Sequence, residues 1–282
     1  FDPDRRVVVM FGGAQPAGPG RRRDTALWSW DGSSWRAAAT GFPARANHAA
    51  AFDTSRARLV VHGGSSLVAS GELDDTWEFD GESWRMVSES GPGTRAHHAM
   101  VFDAARNQMV LFGNSDSALT NDTWGWDGKT WRRLAASGPP RRGVQAMAFD
   151  PDRRVVVMFG GFGSRNTFLN DTWEWGGTQW RQVETAAAPS PRFDTRMVYD
   201  PASRRIILLG GRTAAGNGGD TWAYDGRTWT RLDVAGPPAR NGHAMAYHPR
   251  DKGVLLFGGR SEPNYFDDLW IFNGTWRQVA SR

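Results

Sequence analysis

The chain has 282 residues with no cysteine, 34 glycines, 15 prolines and 15 tryptophans, and its formal net charge is +4. The lack of cysteine excludes disulfide bonds, thiol catalysis and cysteine-ligated zinc. No stretch approaches 18 uncharged apolar residues, so no membrane-spanning segment is predicted. Apart from Lys129 and Lys252, every basic residue is an arginine. Nucleic-acid binding is nevertheless disfavoured, because proteins that bind nucleic acids cluster their positive charge.

The same order of elements recurs six times, which indicates a repeat architecture. In each unit an apolar run ends at a glycine pair or its variant: Gly12-Gly13, Gly63-Gly64, Gly113-Asn114, Gly160-Gly161, Gly210-Gly211 and Gly258-Gly259. A tryptophan cassette follows, and the leading tryptophans are Trp28, Trp77, Trp124, Trp173, Trp222 and Trp270. The predicted units are approximately 1–40, 41–89, 90–137, 138–187, 188–235 and 236–282.

Each unit predicts four strands in chain order. The first resembles Ala146 to Phe149, and the second is an uninterrupted apolar run such as Val155 to Phe159, which is typical of a strand buried on both faces. The third carries a pattern such as Trp77-Glu78-Phe79, in which both rings point into one layer between blades and the glutamate points away. Asp-Gly and Asn-Gly pairs then predict type I′ hairpins to the fourth strand.

No segment shows sustained helical periodicity. Four antiparallel strands repeated six times predict an all-β fold, a six-bladed β-propeller of four-stranded blades that spans 1–282 as a single domain. An arginine precedes the first strand in five units, at Arg45, Arg95, Arg142, Arg192 and Arg240. Phe1-Asp2 aligns only with the end of that strand, so the first blade is predicted to lack its inner strand. Flanking sequence or a neighbouring chain would supply it, or the blade would stay open.

The repeated residues resemble a known motif. Arg-x-x-His, an apolar run ending in Gly-Gly, and Asp-Thr-Trp-x-aromatic-Asp-Gly-x-x-Trp together are similar to the kelch repeat along the whole chain. The resemblance implies a propeller whose ligand face is made by the loops between strands two and three and between blades. Kelch proteins serve in partner recognition, sugar oxidation, sialic-acid anomer interconversion and scaffolding, so the motif specifies the fold and leaves the function open.

One segment occurs twice without change. Phe1 to Gly13 is identical to Phe149 to Gly161, although the repeats otherwise differ. A recent internal duplication and deliberate engineering both account for this identity.

The five aligned arginines are candidate ligand residues. They would lie around one mouth of the channel, where arginine binds carboxylate or phosphate groups in bidentate fashion. The alternative is that each one pairs with the Asp of the adjacent Asp-Thr-Trp and serves its blade, and repetition within the chain favours that interpretation. Residues that differ between repeats at the same mouth are better candidates. The complete candidate set is Arg45, Asn47, Arg95, His97, Arg142, Arg192, Asp194, Arg240 and Asn241.

Other features point to weaker candidates. His97 and His98 are adjacent and face opposite ways on a strand, so they cannot readily share one ion. A metal site that combines them with His48 and His243 is the less favoured alternative; no metal site is predicted, and no cofactor is predicted. The loops between strands two and three vary most, with Arg165, Phe168 and Tyr265 as prominent side chains beside the run Arg21 to Arg23. Arginines in the turns at the opposite face form either a basic ring or solvated turn charges matched by aspartates.

The sequence therefore predicts a non-catalytic scaffold that binds a protein, peptide or glycan through one face. A sugar-modifying enzyme, similar to an epimerase or mutarotase, with an arginine-rich mouth is one alternative. A structural or engineered scaffold without a native ligand is the other. Sugar-oxidising relatives need a cysteine–tyrosine cofactor, which this chain cannot form. A monomer is predicted, with a strand-exchanged oligomer as the alternative.

Overall fold

A computed structural model describes residues 1–12, 26–68, 71–114 and 119–280. The chain divides into two compact units, Phe1–Ser137 and Gly138–Arg282, and the division falls between the third and fourth predicted repeats. Among the described residues every regular element is a β-strand except one 3-10 turn at Ser164–Asn166. This confirms the predicted all-β class. The same part of the chain contains no helix long and apolar enough to cross a membrane.

The strands follow one another closely in both units. In the first unit they are β1 (Val8–Phe11), β2 (Leu27–Trp30), β3 (Trp35–Ala39), β4 (Arg45–Ala46), β5 (Ala49–Asp53), β6 (Arg58–His62), β7 (Ser65–Ser66), β8 (Thr76–Phe79), β9 (Trp84–Ser88), β10 (Ala99–Asp103), β11 (Gln108–Phe112), β12 (Thr123–Trp126) and β13 (Trp131–Ala135). In the second unit they are β14 (Arg142–Gly143), β15 (Ala146–Asp150), β16 (Val155–Gly163), β17 (Phe168–Trp175), β18 (Trp180–Val183), β19 (Arg192–Phe193), β20 (Arg196–Asp200), β21 (Arg205–Leu209), β22 (Arg212–Thr213), β23 (Gly216–Asn217), β24 (Thr221–Tyr224), β25 (Trp229–Leu232), β26 (Ala244–His248), β27 (Gly253–Phe257), β28 (Arg260–Ser261), β29 (Asn264–Tyr265), β30 (Leu269–Phe272) and β31 (Trp276–Ala280).

Each repeat forms one antiparallel meander. The first unit has the sheets β1-β2-β3, β5-β6-β8-β9 and β10-β11-β12-β13. The second has β15-β16-β17-β18, β20-β21-β24-β25 and β26-β27-β30-β31. The short strands lie in the loops, where β4 pairs with β7, β14 with β16, β19 with β22 and β28 with β29. Within the described residues the first sheet has three strands, as the sequence predicts.

Large apolar side chains fill the layers between successive sheets of a unit. In the first unit, Trp77 and Phe79 of β8 pack in one cluster with Phe11 of the preceding sheet, which confirms that both rings of Trp-x-aromatic enter the same layer. Glu78 points the other way, yet it is only 9% exposed, and it accepts a 3.1 Å hydrogen bond from Nε1 of Trp126 in the following sheet.

A second hydrogen bond joins neighbouring sheets at the threonine of Asp-Thr-Trp. The indole Nε1 of Trp131, the second tryptophan of its repeat, donates to the hydroxyl of Thr76 in the preceding sheet at 2.9 Å. Trp229 donates in the same way to Thr172. Trp276 donates to Thr221. The threonine and the second tryptophan of the motif therefore bond successive repeats to each other.

The hairpin between the third and fourth strands differs from the prediction. Phe79 pairs with Trp84, so the loop is four residues long, and only its glycine, Gly81, has a positive φ, of 100°. A type I′ turn needs two such residues in a two-residue loop, so that prediction is wrong. The side chain of Asp80 closes the loop by accepting the backbone N–H groups of Glu82 and Ser83 at 2.9 and 2.8 Å. These bonds hold the pKa of Asp80 below its usual value.

Candidate functional site

Four of the five candidate arginines are buried in ion pairs within their own repeat. The guanidinium of Arg142 donates to both carboxylate oxygens of Asp171, at 2.6 and 2.7 Å. Its remaining contacts are the carbonyls of Gly160 and Pro140, each at 3.0 Å. Equivalent bidentate pairs are Arg45–Asp75, Arg192–Asp220 and Arg240–Asp268. Each of these arginines therefore pairs with the Asp of the adjacent Asp-Thr-Trp, which is the predicted alternative to ligand binding.

The aspartate in each pair is held by two donors. Trp173 Nε1 donates to Asp171 at 2.6 Å. Burial alone would raise the pKa of Asp171, but the hydrogen bonds from Arg142 and Trp173, together with the charge of Arg142, outweigh burial and keep the pKa below its usual value. The carboxylate is therefore charged at neutral pH, and the arginine stays paired with it.

The third repeat departs from this arrangement. Nη1 of Arg95 lies 3.7 Å from the nearest carboxylate oxygen of Asp122, and the guanidinium donates instead to the carbonyls of Gly113, Gly93 and Pro92. Burial lowers the pKa of Arg95. This repeat is also the one in which Asn114 replaces the second glycine. Its Oδ1 accepts the backbone N–H of Ala96 at 3.2 Å.

The position two residues after each arginine has left-handed backbone geometry in all five repeats. The φ angles are 57° at Asn47, 58° at His97, 58° at Val144, 55° at Asp194 and 66° at Gly242. In each unit this N–H donates to the carbonyl of its counterpart one repeat earlier, from His97 to Asn47 at 2.9 Å and from Asp194 to Val144 at 2.9 Å. These residues therefore form a backbone joint between repeats.

The joint presents side chains that differ between repeats. Asn47 is exposed, and His97 and Asp194 are partly exposed. The Asp194 carboxylate receives a 3.3 Å hydrogen bond from Arg196. Asn, Asp and Gly tolerate a left-handed backbone better than other residue types, and three of the five positions have one of them. Only that preference could have predicted the joint from the sequence.

Asn241, the last candidate, is 3% exposed and lies in a loop network. Its Nδ2 donates to Oδ1 of Asn217 at 2.7 Å, and its Oδ1 accepts from Nε of Arg260 at 3.2 Å. In this geometry Asn241 fixes the loops of the fifth and sixth repeats relative to each other.

The residue three positions after each arginine packs against the glycine pairs. A Cβ on Gly64 would lie 2.8 Å from Cβ of His48 in the same repeat, and a Cβ on Gly12 would lie 2.6 Å from its Cε1 in the preceding repeat. Burial, with the charge of Arg45, lowers the pKa of His48 to about 4. His98, at the same position of the next repeat, has a pKa well below 6.5 for the same main reason. These imidazoles are neutral packing groups at physiological pH.

The histidines do not assemble into a metal site. His97 is partly exposed whereas His98 is 6% exposed. The prediction that they lie on a strand is wrong, because His97 has a left-handed backbone and β10 begins only at Ala99. Across the described ranges, no group of three or more His, Asp or Glu residues is placed to hold a metal ion.

Arginines in the turns at the opposite end of the sheets are held by carboxylates. Arg153 pairs with Asp150 at 2.8 Å and also with Glu174. Arg56 makes the matching pairs with Asp53 and Glu78, both at 2.7 Å. The loop candidates Arg21 to Arg23 lie outside the described residues.

Sequence reasoning missed a groove on the loop side of the second unit. One side is the loop between β16 and β17, with Asn166 and Phe168. The other side is the turn between β22 and β23, with Thr213, Ala214 and Ala215, and Ser190 and Pro191 complete the lining. Its volume is about 540 Å³. The groove joins loops of two repeats, and only Phe168 among its residues was prominent in the sequence.

The repeated antiparallel four-stranded sheets place the chain among repeat proteins of the all-β class. Residues 4–185 and 174–282 match the KLHDC2/KLHL20/DRC7 Kelch-repeats domain. The matches span almost the whole chain, so the chain belongs to the kelch-repeat family. Kelch domains generally mediate protein interactions. No curated protein matches the sequence.

Proposed function

We propose that this chain is a non-catalytic scaffold that binds a protein partner through the face made by its loops between second and third strands. The observation that carries the proposal is that the repeated polar side chains bond within the fold, whereas the loop side chains vary and are exposed. The repeated Arg, Asp, Thr and Trp residues use their polar groups within and between sheets. The loops instead differ from repeat to repeat and expose side chains such as Ala215 and Tyr265, which is 44% exposed.

A sugar-modifying enzyme with an arginine-rich mouth has less support. Its substrate would have to compete with aspartate for guanidinium groups such as that of Arg142, which is 0% exposed and already paired. Separating a buried ion pair leaves an uncompensated charge, at a cost of about 3–5 kcal/mol. Turnover of a sugar by the purified chain, followed by NMR, would overturn the non-catalytic proposal.

A matched pair of alanines tests which face binds. Ala215 and Ala202 both lie exposed in the fifth repeat, in loops at opposite ends of the sheet β20-β21-β24-β25. A photo-cross-linking amino acid is placed at each position in turn, and protein adducts are identified by mass spectrometry. We expect adducts of defined mass from position 215 and none of the same identity from position 202. Equal labelling from both positions would contradict binding through the loop face.

A further inference from the structure

We infer that the groove of the second unit binds an extended protein segment in which a large apolar side chain is flanked by acidic residues. This inference rests on the proposed function and specifies the partner's chemistry. The groove is lined by Asn166 and Phe168, by Ser190 and Pro191, and by Thr213 to Ala215. A segment bound there would contact the β16–β17 loop and the β22–β23 turn together.

An aromatic cluster adjoins the groove. Phe162, Phe168 and Phe193 are all partly exposed, and their ring centroids lie 4.9 to 5.9 Å apart. At the position of Phe193 the other repeats have Ala46, Ala96, Gly143 and Asn241. Aromatic residues, Phe included, are enriched at protein interfaces, and an apolar patch at the surface marks an interaction site. The cluster therefore supplies the apolar anchor site.

The acidic residues that follow the groove segments, Asp171, Asp194 and Asp220, each pair with an arginine. The segments 162–170, 186–193 and 211–219 themselves contain no acidic residue. Their arginines are Arg165, Arg192 and Arg212, of which Arg192 is buried in its pair with Asp220. Arg165 and Arg212 are exposed, and Arg212 lies directly across the strand pair from Phe193. Two exposed cations beside an apolar groove complement an acidic segment with an apolar centre.

The hydroxyl groups of the groove argue against a glycan as its occupant. Thr213 Oγ1 donates to the Gly216 carbonyl at 2.9 Å, and Ser190 Oγ accepts from Nη2 of Arg192 at 2.9 Å. Both groups are already engaged, whereas sugar recognition needs several polar groups that converge on the ligand. A protein segment needs fewer, because its side chain is buried in the apolar part.

The test is selection of binders from a phage-displayed library of random ten-residue peptides by the full chain. An enriched peptide is then labelled with fluorescein and titrated by fluorescence polarisation. We expect enrichment of Asp and Glu around an aromatic or aliphatic residue. Phe168→Ala should weaken binding at least about tenfold, because it removes an anchor contact. Arg212→Glu should weaken binding about five- to tenfold and reduce the dependence on salt.

Further variants serve as controls for unfolding and show where on the chain the peptide binds. Ala214→Glu adds a negative charge at an exposed turn residue and should abolish binding with an unchanged melting temperature. Arg227→Glu, an exposed charge reversal at the opposite end of the sheet, and Tyr265→Ala, in the sixth repeat, should leave the affinity within about twofold.

Two results would overturn the inference in distinguishable ways. Enriched peptides that are neutral or basic, or that respond to Tyr265→Ala and not to Phe168→Ala, would contradict this partner chemistry or this site and leave the proposed function standing. A library without any loop-dependent binder, together with an oligosaccharide on a glycan array whose binding Phe168→Ala abolishes, would overturn the proposed function as well.

Discussion

Two copies of one sequence adopt the same turn in different surroundings. Phe1–Gly13 and Phe149–Gly161 are identical. In both copies the aspartate closes the turn, since Asp2 and Asp150 each accept two backbone N–H groups at 3.0 Å. In both, the last turn residue is left-handed, with φ of 57° at Arg6 and at Arg154. Local sequence therefore sets the turn.

The strand that follows the turn differs between the copies. β16 pairs with β15 on one side and β17 on the other, and its residues Val156 to Phe159 are 0% exposed. β1 pairs with β2, and among the described strands nothing pairs with its other edge. Val9, Met10 and Phe11 are partly exposed. The burial of an identical strand thus depends on its neighbours.

The arginine of the turn also changes its second partner. Arg153 reaches Glu174 of its own sheet. Arg5 instead donates to the carbonyl of Asp80 in the next sheet at 2.9 Å, because the residue equivalent to Glu174 is Ser29. Both arginines keep the ion pair with the turn aspartate, and residues distant in sequence determine only the second partner.

The largest expected effect is at Arg142, which precedes β15. Among the described residues, the copy at Phe1–Gly13 has no strand equivalent to β15. Arg142→Met keeps the apolar stem, removes the guanidinium and leaves the half-buried Asp171 without its cation. We expect a loss of about 3–5 kcal/mol in the free energy of unfolding, measured in urea by tryptophan fluorescence. The double variant with Asp171→Leu should recover most of it. Arg95→Met should cost less, because that arginine lacks a bidentate pair. A loss below about 1 kcal/mol for Arg142→Met would show that the Arg142–Asp171 ion pair does not stabilise the fold.

Paired methionine variants compare the two copies directly. Met158 is 0% exposed and Met10 is partly exposed in the same sequence context. Met158→Ala should destabilise the chain by about 2–4 kcal/mol, because it leaves a cavity in a closed core. Met10→Ala should cost about 1 kcal/mol or less, since less surface is buried there. Equal losses in thermal and urea unfolding would contradict the assignment of the difference to burial.

Acid should destabilise the chain through the histidine that packs on the glycine of the first copy, and the second copy has no such histidine. The ring of His48 packs on Gly12, whereas the equivalent residue beyond Gly160 is Thr195, which does not titrate. The pKa of folded His48 is lowered to about 4 from 6.5. The unfolded chain therefore takes up the proton first, and the stability contributed by His48 is complete above pH 6.5 and declines as the pH falls towards 4. Between pH 7 and pH 5 we expect the wild type to lose about 1–2 kcal/mol more than His48→Gln in urea titrations. An equal loss in both would exclude His48 as the group responsible.

The smallest difference is expected at the turn arginines. Arg153→Ala leaves Glu174, which is 4% exposed, with fewer partners and should cost about 1 kcal/mol. The side chain of Arg5 is 40% exposed, so Arg5→Ala should lower the free energy of unfolding by at most about half as much. Differential scanning calorimetry of the two variants resolves this order, and a reversed order would contradict the role assigned to Glu174.

Much of the fold was predictable from the sequence. The spacing of the glycine pairs and tryptophans predicted six units of antiparallel strands, and alternation in Trp77-Glu78-Phe79 predicted which rings share a layer. The turn type between third and fourth strands was mispredicted, because Asp-Gly favours two loop geometries and the side chain of Asp80 selected the longer one.

The candidate site was predictable only in part. The alternative role of Arg142 as partner of Asp171 followed from repetition along the chain. The left-handed joint at Asn47 and Asp194 did not, since most residue types adopt that geometry only when neighbours hold it. The groove beside Phe168 also could not be predicted, because its walls belong to different repeats.

The sequence by itself determined the repeat period, the β-class and the turns, because hydrogen bonds and side-chain alternation within a few residues decide them. The tertiary structure alone decided the burial of Glu78, the partner of Arg5 and the loops that form the groove. Those outcomes depend on groups in different repeats, which are brought together only when successive sheets pack.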